Sequence, residues 1–165
     1  GSAWAPATDD SGGGGVSGGG SSGQVAYWNG ASSITGNSNL FWDEKDNRLG
    51  IGVTPKTNFH FGGSHAVAFT IAKAGAYTVD PKDYVIFGDT ETTDILLPDA
   101  AEIPGRILII RATDPKGVRI SAANGKDTID GVSSLQLQDS DAAFYSAILI
   151  SAGTDRWMTL SKSRK

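Results

Sequence analysis

The chain has no cysteine and only two histidines, His60 and His65. Without thiols there is neither a disulfide framework nor a thiolate metal site, and cysteine usage says nothing about the redox compartment. Long apolar runs are also missing. The longest, such as residues 107–110 and 147–150, hold four residues, against the ~20 a membrane-crossing helix needs, so no membrane partner is expected. The amino terminus lacks the basic start and apolar stretch of a secretory signal. Cationic excess is absent: 14 Lys and Arg stand against 18 Asp and Glu, a net charge of −4. That argues against a nucleic-acid partner, which calls for a cationic field. The one basic cluster, residues 161–165, reads as a frayed, solvated terminus. Helical periodicity is lacking as well. No window of eleven or more residues carries a 3.6-residue apolar stripe free of Gly and Pro, so the expected class is all-β, with a single helical turn allowed at 99–103.

Glycine, in contrast, is abundant. Residues 1–24 contain nine glycines and five serines and no apolar face, the composition of a flexible tether. Near its start, Trp4 and Pro6 make a small candidate anchor for docking on another protein. From 25 to 63 the sequence reads as a short-strand module, with strands near 25–28, 39–43, 48–53 and 58–61 broken by Asn29-Gly30, Gly36-Asn37-Ser38 and Asp46-Asn47. Large apolar residues joined to glycines at two-residue spacing, as in Leu49-Gly50-Ile51-Gly52, suggest backbone packed against backbone.

Residues 64–165 read as a carboxy-terminal β domain with strands near 66–71, 76–80, 84–88, 93–97, 106–112, 117–121, 133–138, 143–151 and 155–160. Ser133 to Gln138 alternates as a strand wet on one side does, whereas 106–111 and 144–150 are apolar on both faces. Such strands are unusual in a small antiparallel domain. A second cover is expected, and another copy of the chain is its simplest source, with loops or a closed small barrel as the alternative.

Catalysis is not expected, and neither is a cofactor. Gly62-Gly63-Ser64-His65-Ala66 approaches a nucleophile elbow, but nothing helical follows Ser64, and the stretch reads as a polar hinge. His60 alternates against Phe59 and Phe61 and is expected in solvent. Neither Asp43-Glu44-Lys45-Asp46-Asn47 nor Asp139-Ser140-Asp141 has the register of a calcium loop. No protein-held metal is expected, although a symmetry axis gathering three copies of one Asp would offer a route to an ion. The glycine leader lacks the Gly-Lys-Ser/Thr ending of a phosphate loop. Aromatic faces suit sugar rings, and core packing is the alternative for each of them. Trp157, beside the polar turn Gly153-Thr154-Asp155, is the first candidate for an exposed glycan platform, together with Tyr145.

Residues 23–63 resemble the repeat modules of bacteriophage tail fibres and related trimeric virion appendages. The matching parts are Gln24-Val25-Ala26-Tyr27-Trp28-Asn29-Gly30, Asn39-Leu40-Phe41-Trp42-Asp43, Leu49-Gly50-Ile51-Gly52-Val53-Thr54-Pro55 and Phe59-His60-Phe61-Gly62. Val53-Thr54-Pro55 departs from the Thr-Thr-Ser-Pro or Thr-Ser-Pro common there. The stretch 66–160 more loosely resembles small all-β domains found beside such modules, through Tyr84-Val85-Ile86, Ile95-Leu96-Leu97-Pro98-Asp99-Ala100, residues 105–110 and Thr128-Ile129-Asp130-Gly131. The resemblance implies a short interleaved strand module followed by a small β-sandwich or β-prism-like domain, intertwined in a homotrimer. Trp42, Leu49, Gly50, Ile51, Gly52 and Pro55 would be the assembly motif. It also implies a non-enzymatic tail-fibre or tail-tip subunit of a virion, joined to other virion proteins through the leader and contacting host glycans. A capsid decoration or head-fibre protein, a bacterial surface adhesin and a monomeric carbohydrate-binding module are the alternatives.

Overall fold

The computed structural model describes residues 17–73, 75–138 and 144–164. The fold is all-β, with fifteen strands in three mixed sheets and no α-helix among the described residues. Accordingly, no helix among them is long and apolar enough to cross a membrane. The chain divides into two compact units, Gly1–His65 and Ala66–Lys165.

In the first unit the strands are β1 (Ser17–Gly19), β2 (Gln24–Trp28), β3 (Ser33–Asp43), β4 (Arg48–Ile51) and β5 (Phe59–Phe61). They form one sheet in the order β1-β3-β4-β5, with β2 also paired to β3. Part of the expected tether is therefore sheet: β1 runs parallel to β3 with Ser17, Gly18 and Gly19 opposite Ser33, Ile34 and Thr35. Glycine permits this, because a Cβ on Gly18 would sit 1.9 Å from the Ile34 carbonyl oxygen. Trp4 and Pro6 lie outside the described residues.

The second unit contains β6 (Phe69–Ala72), β7 (Gly75–Thr78), β8 (Val85–Gly88), β9 (Thr92–Leu97), β10 (Ile107–Ala112), β11 (Val118–Ala122), β12 (Thr128–Ile129), β13 (Ser134–Leu137), β14 (Phe144–Ser151) and β15 (Arg156–Arg164), with one 3-10 turn at Ala100–Glu102. From β6 to β11 the chain alternates between a six-stranded sheet, β12-β15-β14-β10-β8-β6, and a four-stranded sheet, β13-β11-β9-β7. Each return to a sheet pairs in parallel with the previous pass. Phe69, Val85 and Ile109 stack as neighbours, as do Tyr77, Ile95 and Ile120. Parallel pairing needs a crossover of a dozen or more residues, and here a strand of the opposite sheet supplies it, giving the connectivity of a solenoid.

The corners explain where many of the Asp residues go. At Asp80, Asp89, Asp99, Asp114 and Asn124 the side-chain oxygen accepts a hydrogen bond from the backbone N–H two residues on, at 2.9, 3.1, 2.9, 2.9 and 3.0 Å. These Asx turns reverse the chain between successive strands from β7 to β12. Between the sheets lies one core, with Ile86, Leu108, Ile110 and Leu149 on one side and Ile95, Leu97, Val118 and Ile120 on the other. A Cβ on Gly88 would stand 3.3 Å from the Val118 side chain, so the two layers touch there.

This topology corrects two expectations. The apolar run 106–111 is not an oddity of an antiparallel domain, since β10 pairs in parallel with β8 and antiparallel with β14. Parallel strands are commonly apolar on both faces where both are covered, and here the four-stranded sheet covers the inner one. Nor does the basic tail begin at 161: β15 continues to Arg164, and Lys162 lies opposite Ala147 and pairs with Asp130 at 3.2 Å.

Candidate functional site

The two units each present an apolar sheet face, and pairing register creates both. In the first unit, Trp42, Leu49 and Phe59 are cross-strand neighbours on β3, β4 and β5, and Leu40, Ile51 and Phe61 form the next row. Side chains two apart on a strand share a face, so these six lie together. Phe59 is 56% exposed, and Trp42, Ile51 and Phe61 are exposed too. The Phe59 and Phe61 rings stand 5.7 Å apart.

The opposite face carries Phe41, Gly50 and His60 in register. This reverses the expectation for His60, which is half-buried and accepts a hydrogen bond on Nδ1 from the Lys56 N–H at 3.3 Å, while its Phe neighbours are exposed. The expected assembly motif thus separates into two roles. Trp42, Leu49 and Ile51 belong to the apolar face. Gly50 and buried Pro55 close a tight return, where a Cβ on Gly50 would meet the Val53 carbonyl oxygen at 2.2 Å and Pro55 at 2.9 Å. Gly52 turns the chain at φ +69°. The backbone-on-backbone packing is real at Gly50, and it is made within one chain.

In the second unit Arg111 lies outward on the six-stranded sheet, in register between Phe87 and Ser146, and the outward apolar side chains are Phe69 and Ile71 on β6, Val85 and Phe87 on β8, Ile107 and Ile109 on β10, Ile148 and Ile150 on β14, and Met158 on β15. Phe69 is 65% exposed, Ile71 and Met158 are exposed, and the other apolar ones are half-buried by their lateral neighbours. Phe69 and Phe87 meet edge to face at 6.2 Å. The outer face of the four-stranded sheet is different in kind. Asp94 on β9 and Arg119 on β11 are register partners joined as an ion pair, and Ser121, Ser134 and Gln136 lie outward beside them. The hydrogen bond from Arg119, more than any other cause, holds the Asp94 carboxyl below its ordinary value.

Buried polar groups serve the fold. Asp83 accepts hydrogen bonds from the Thr70 hydroxyl, from the Tyr77 hydroxyl at 2.7 Å and from the Asp80 N–H at 2.8 Å, while Arg106 donates to the Asp80 and Asp83 carbonyls. Burial alone would raise the Asp83 carboxyl, but these bonds and the Arg106 charge outweigh it, and its pKa is lowered. The Tyr77 phenol is raised by burial and then by the carboxylate it bonds. Asp130 follows Asp83: burial opposes ionisation, and the Thr159 and Lys162 bonds overcome it.

Comparison with family models, curated proteins and solved structures finds no match for this chain. Its candidate sites are therefore judged on their own geometry.

That geometry corrects the glycan platform. Trp157 is 0% exposed. Its register opposite Ser151 and Ile129 turns the ring inward, and the indole Nε1–H donates to the Pro98 carbonyl at 3.2 Å. The same corner is held by the Ser151 hydroxyl on the Ala100 carbonyl at 2.6 Å and by the Ala100 N–H on Asp127 at 2.8 Å. Trp157 is a structural lock. Tyr145 is half-buried, with the Arg111 guanidinium 5.1 Å from its ring centre, so the two aromatics form no shared platform. Sequence reasoning missed the β6 and β8 part of the apolar face. The alternation of Phe69-Thr70-Ile71 and Val85-Ile86-Phe87 was the available signal.

Proposed function

We propose that this chain is a non-enzymatic structural subunit of a bacteriophage tail fibre or tail tip, built as a homotrimer in which the second unit forms a prism-like arrangement of sheets. One observation carries the reading: both units expose an apolar sheet face with no charged side chain at its centre. A soluble monomer rarely leaves such faces open, and copies of the same chain supply the missing layer. The resemblance of residues 23–63 to tail-fibre modules supplies the number three and the virion setting.

In this reading the work is mechanical. The Asx-cornered solenoid and its locked Pro98–Ala100 corner make a stiff body, repetition makes a multivalent one, and the leader joins it to other virion proteins. Gold-labelled antibody to the chain tests the placement on intact virions: decoration of tail appendages is expected. Decoration of the capsid shell would instead make it a head protein, and no decoration would end the virion reading.

A further inference from the structure

We propose that the outer face of the six-stranded sheet is the seam on which a second copy of this chain seats. This rests on the assembly reading above and deepens it by naming the surface. The middle of the face is the row Val85, Ile109 and Ile148 with Ile107 and Ile150 beside it, all apolar, and charge enters in the flanking rows with Arg111, the register partner of Phe87, and Arg156. A charge-free centre with a polar rim is the anatomy of a protein interface.

Size points the same way. With an aromatic side chain presenting about 150–250 Å² when free and aliphatic ones less, Phe69, Ile71 and Met158, 65%, 50% and 48% exposed, and their half-buried neighbours leave on the order of 500 Å² of apolar surface. That is in the upper half of the ~300–600 Å² of the largest patch on a typical monomer, and most of the ~800 Å² that each partner gives to a stable interface. The polar outer face of the four-stranded sheet, with Asp94 and Arg119 paired on it, needs no cover.

The character of the face selects the occupant. A glycan or a charged protein needs polar anchors, and the centre offers none. Flat faces of Val, Ile and Phe side chains are complementary to one another, and in the proposed trimer three of them turn toward a common axis, each seated against its neighbours with interdigitating side chains. Every copy of the chain brings one.

Photo-cross-linking of the full chain tests this. With Phe87 replaced by p-benzoylphenylalanine, irradiation is expected to give a denaturing-gel band at twice 17.1 kDa or more, while the same residue at Gln136 on the polar face gives none. A cross-link confined to the single-chain band, or no cross-link at Phe87, overturns the proposal. In parallel, Ile109→Lys is expected to lower the native mass to 17.1 kDa and Ser121→Lys to leave it unchanged; retention of the assembled mass by Ile109→Lys also overturns it. An assembled wild-type chain without Phe87 links sinks the seam and spares the assembly, whereas a monomeric wild-type chain sinks both.

Discussion

The two sheets of the second unit share one core and one alternation of side chains, yet their outer faces are opposites. Where β9 and β11 turn Asp94, Arg119 and Ser121 to the outside, β8 and β10 turn out Val85, Phe87, Ile107 and Ile109. Inward positions are dictated by the core. Outward positions report what lies beyond the sheet: one outer face is polar, and the other is largely apolar, the face that the proposed assembly would cover.

The largest expected effect strikes both sheets at once. Trp157→Ala empties the core beneath the Pro98 corner and is expected to cost about 3–5 kcal/mol, read as a lower denaturant midpoint. A small loss would mean that the two layers do not depend on a common core. Asp83→Asn comes next, since it disturbs the knot joining β6, β7 and β8; it is expected to cost about 1–3 kcal/mol at neutral pH.

Its pH signature is distinctive. The Asp83 pKa is lowered on folding from the ordinary 3.8, so its stabilisation is full above that value and fades as pH falls through the lower folded one. The Asn variant should show a shallower acid limb in thermal melts, and an unchanged limb would place the acid sensitivity elsewhere.

Gly50→Ala drives a Cβ into the Val53 carbonyl and is expected to cost about 1–3 kcal/mol. Faster hydrogen exchange confined to residues 17–65 would register it, with the contrast between the two outer faces untouched. The smallest effect belongs to the polar face: Arg119→Gln breaks an exposed ion pair and should leave both melting temperature and native mass where they were. A clear drop in mass would erase the distinction between the faces.

Much of this architecture was legible before the structure. β8, β9, β10 and β14 announce themselves by short apolar runs between Asp and Gly corners, and the two apolar faces of β10 could be read from 106–111. Other parts were hidden for physical reasons. Ser17-Gly18-Gly19 pairs by main chain alone, so no side-chain pattern marks β1. In Arg156-Trp157-Met158 the alternation gives no parity, because two large apolar residues adjoin. Register with Ser151 and Ile129 decides that Trp157 points inward. The parallel order of the sheets was equally invisible, since it depends on which distant strands meet.

Light scattering on the intact wild-type chain in dilute buffer reaches the heart of the matter. A folded, monodisperse species at about three times 17.1 kDa is the expected result. A stable β-rich species at 17.1 kDa would mean that the apolar faces stand open to water and that no sister copy covers them.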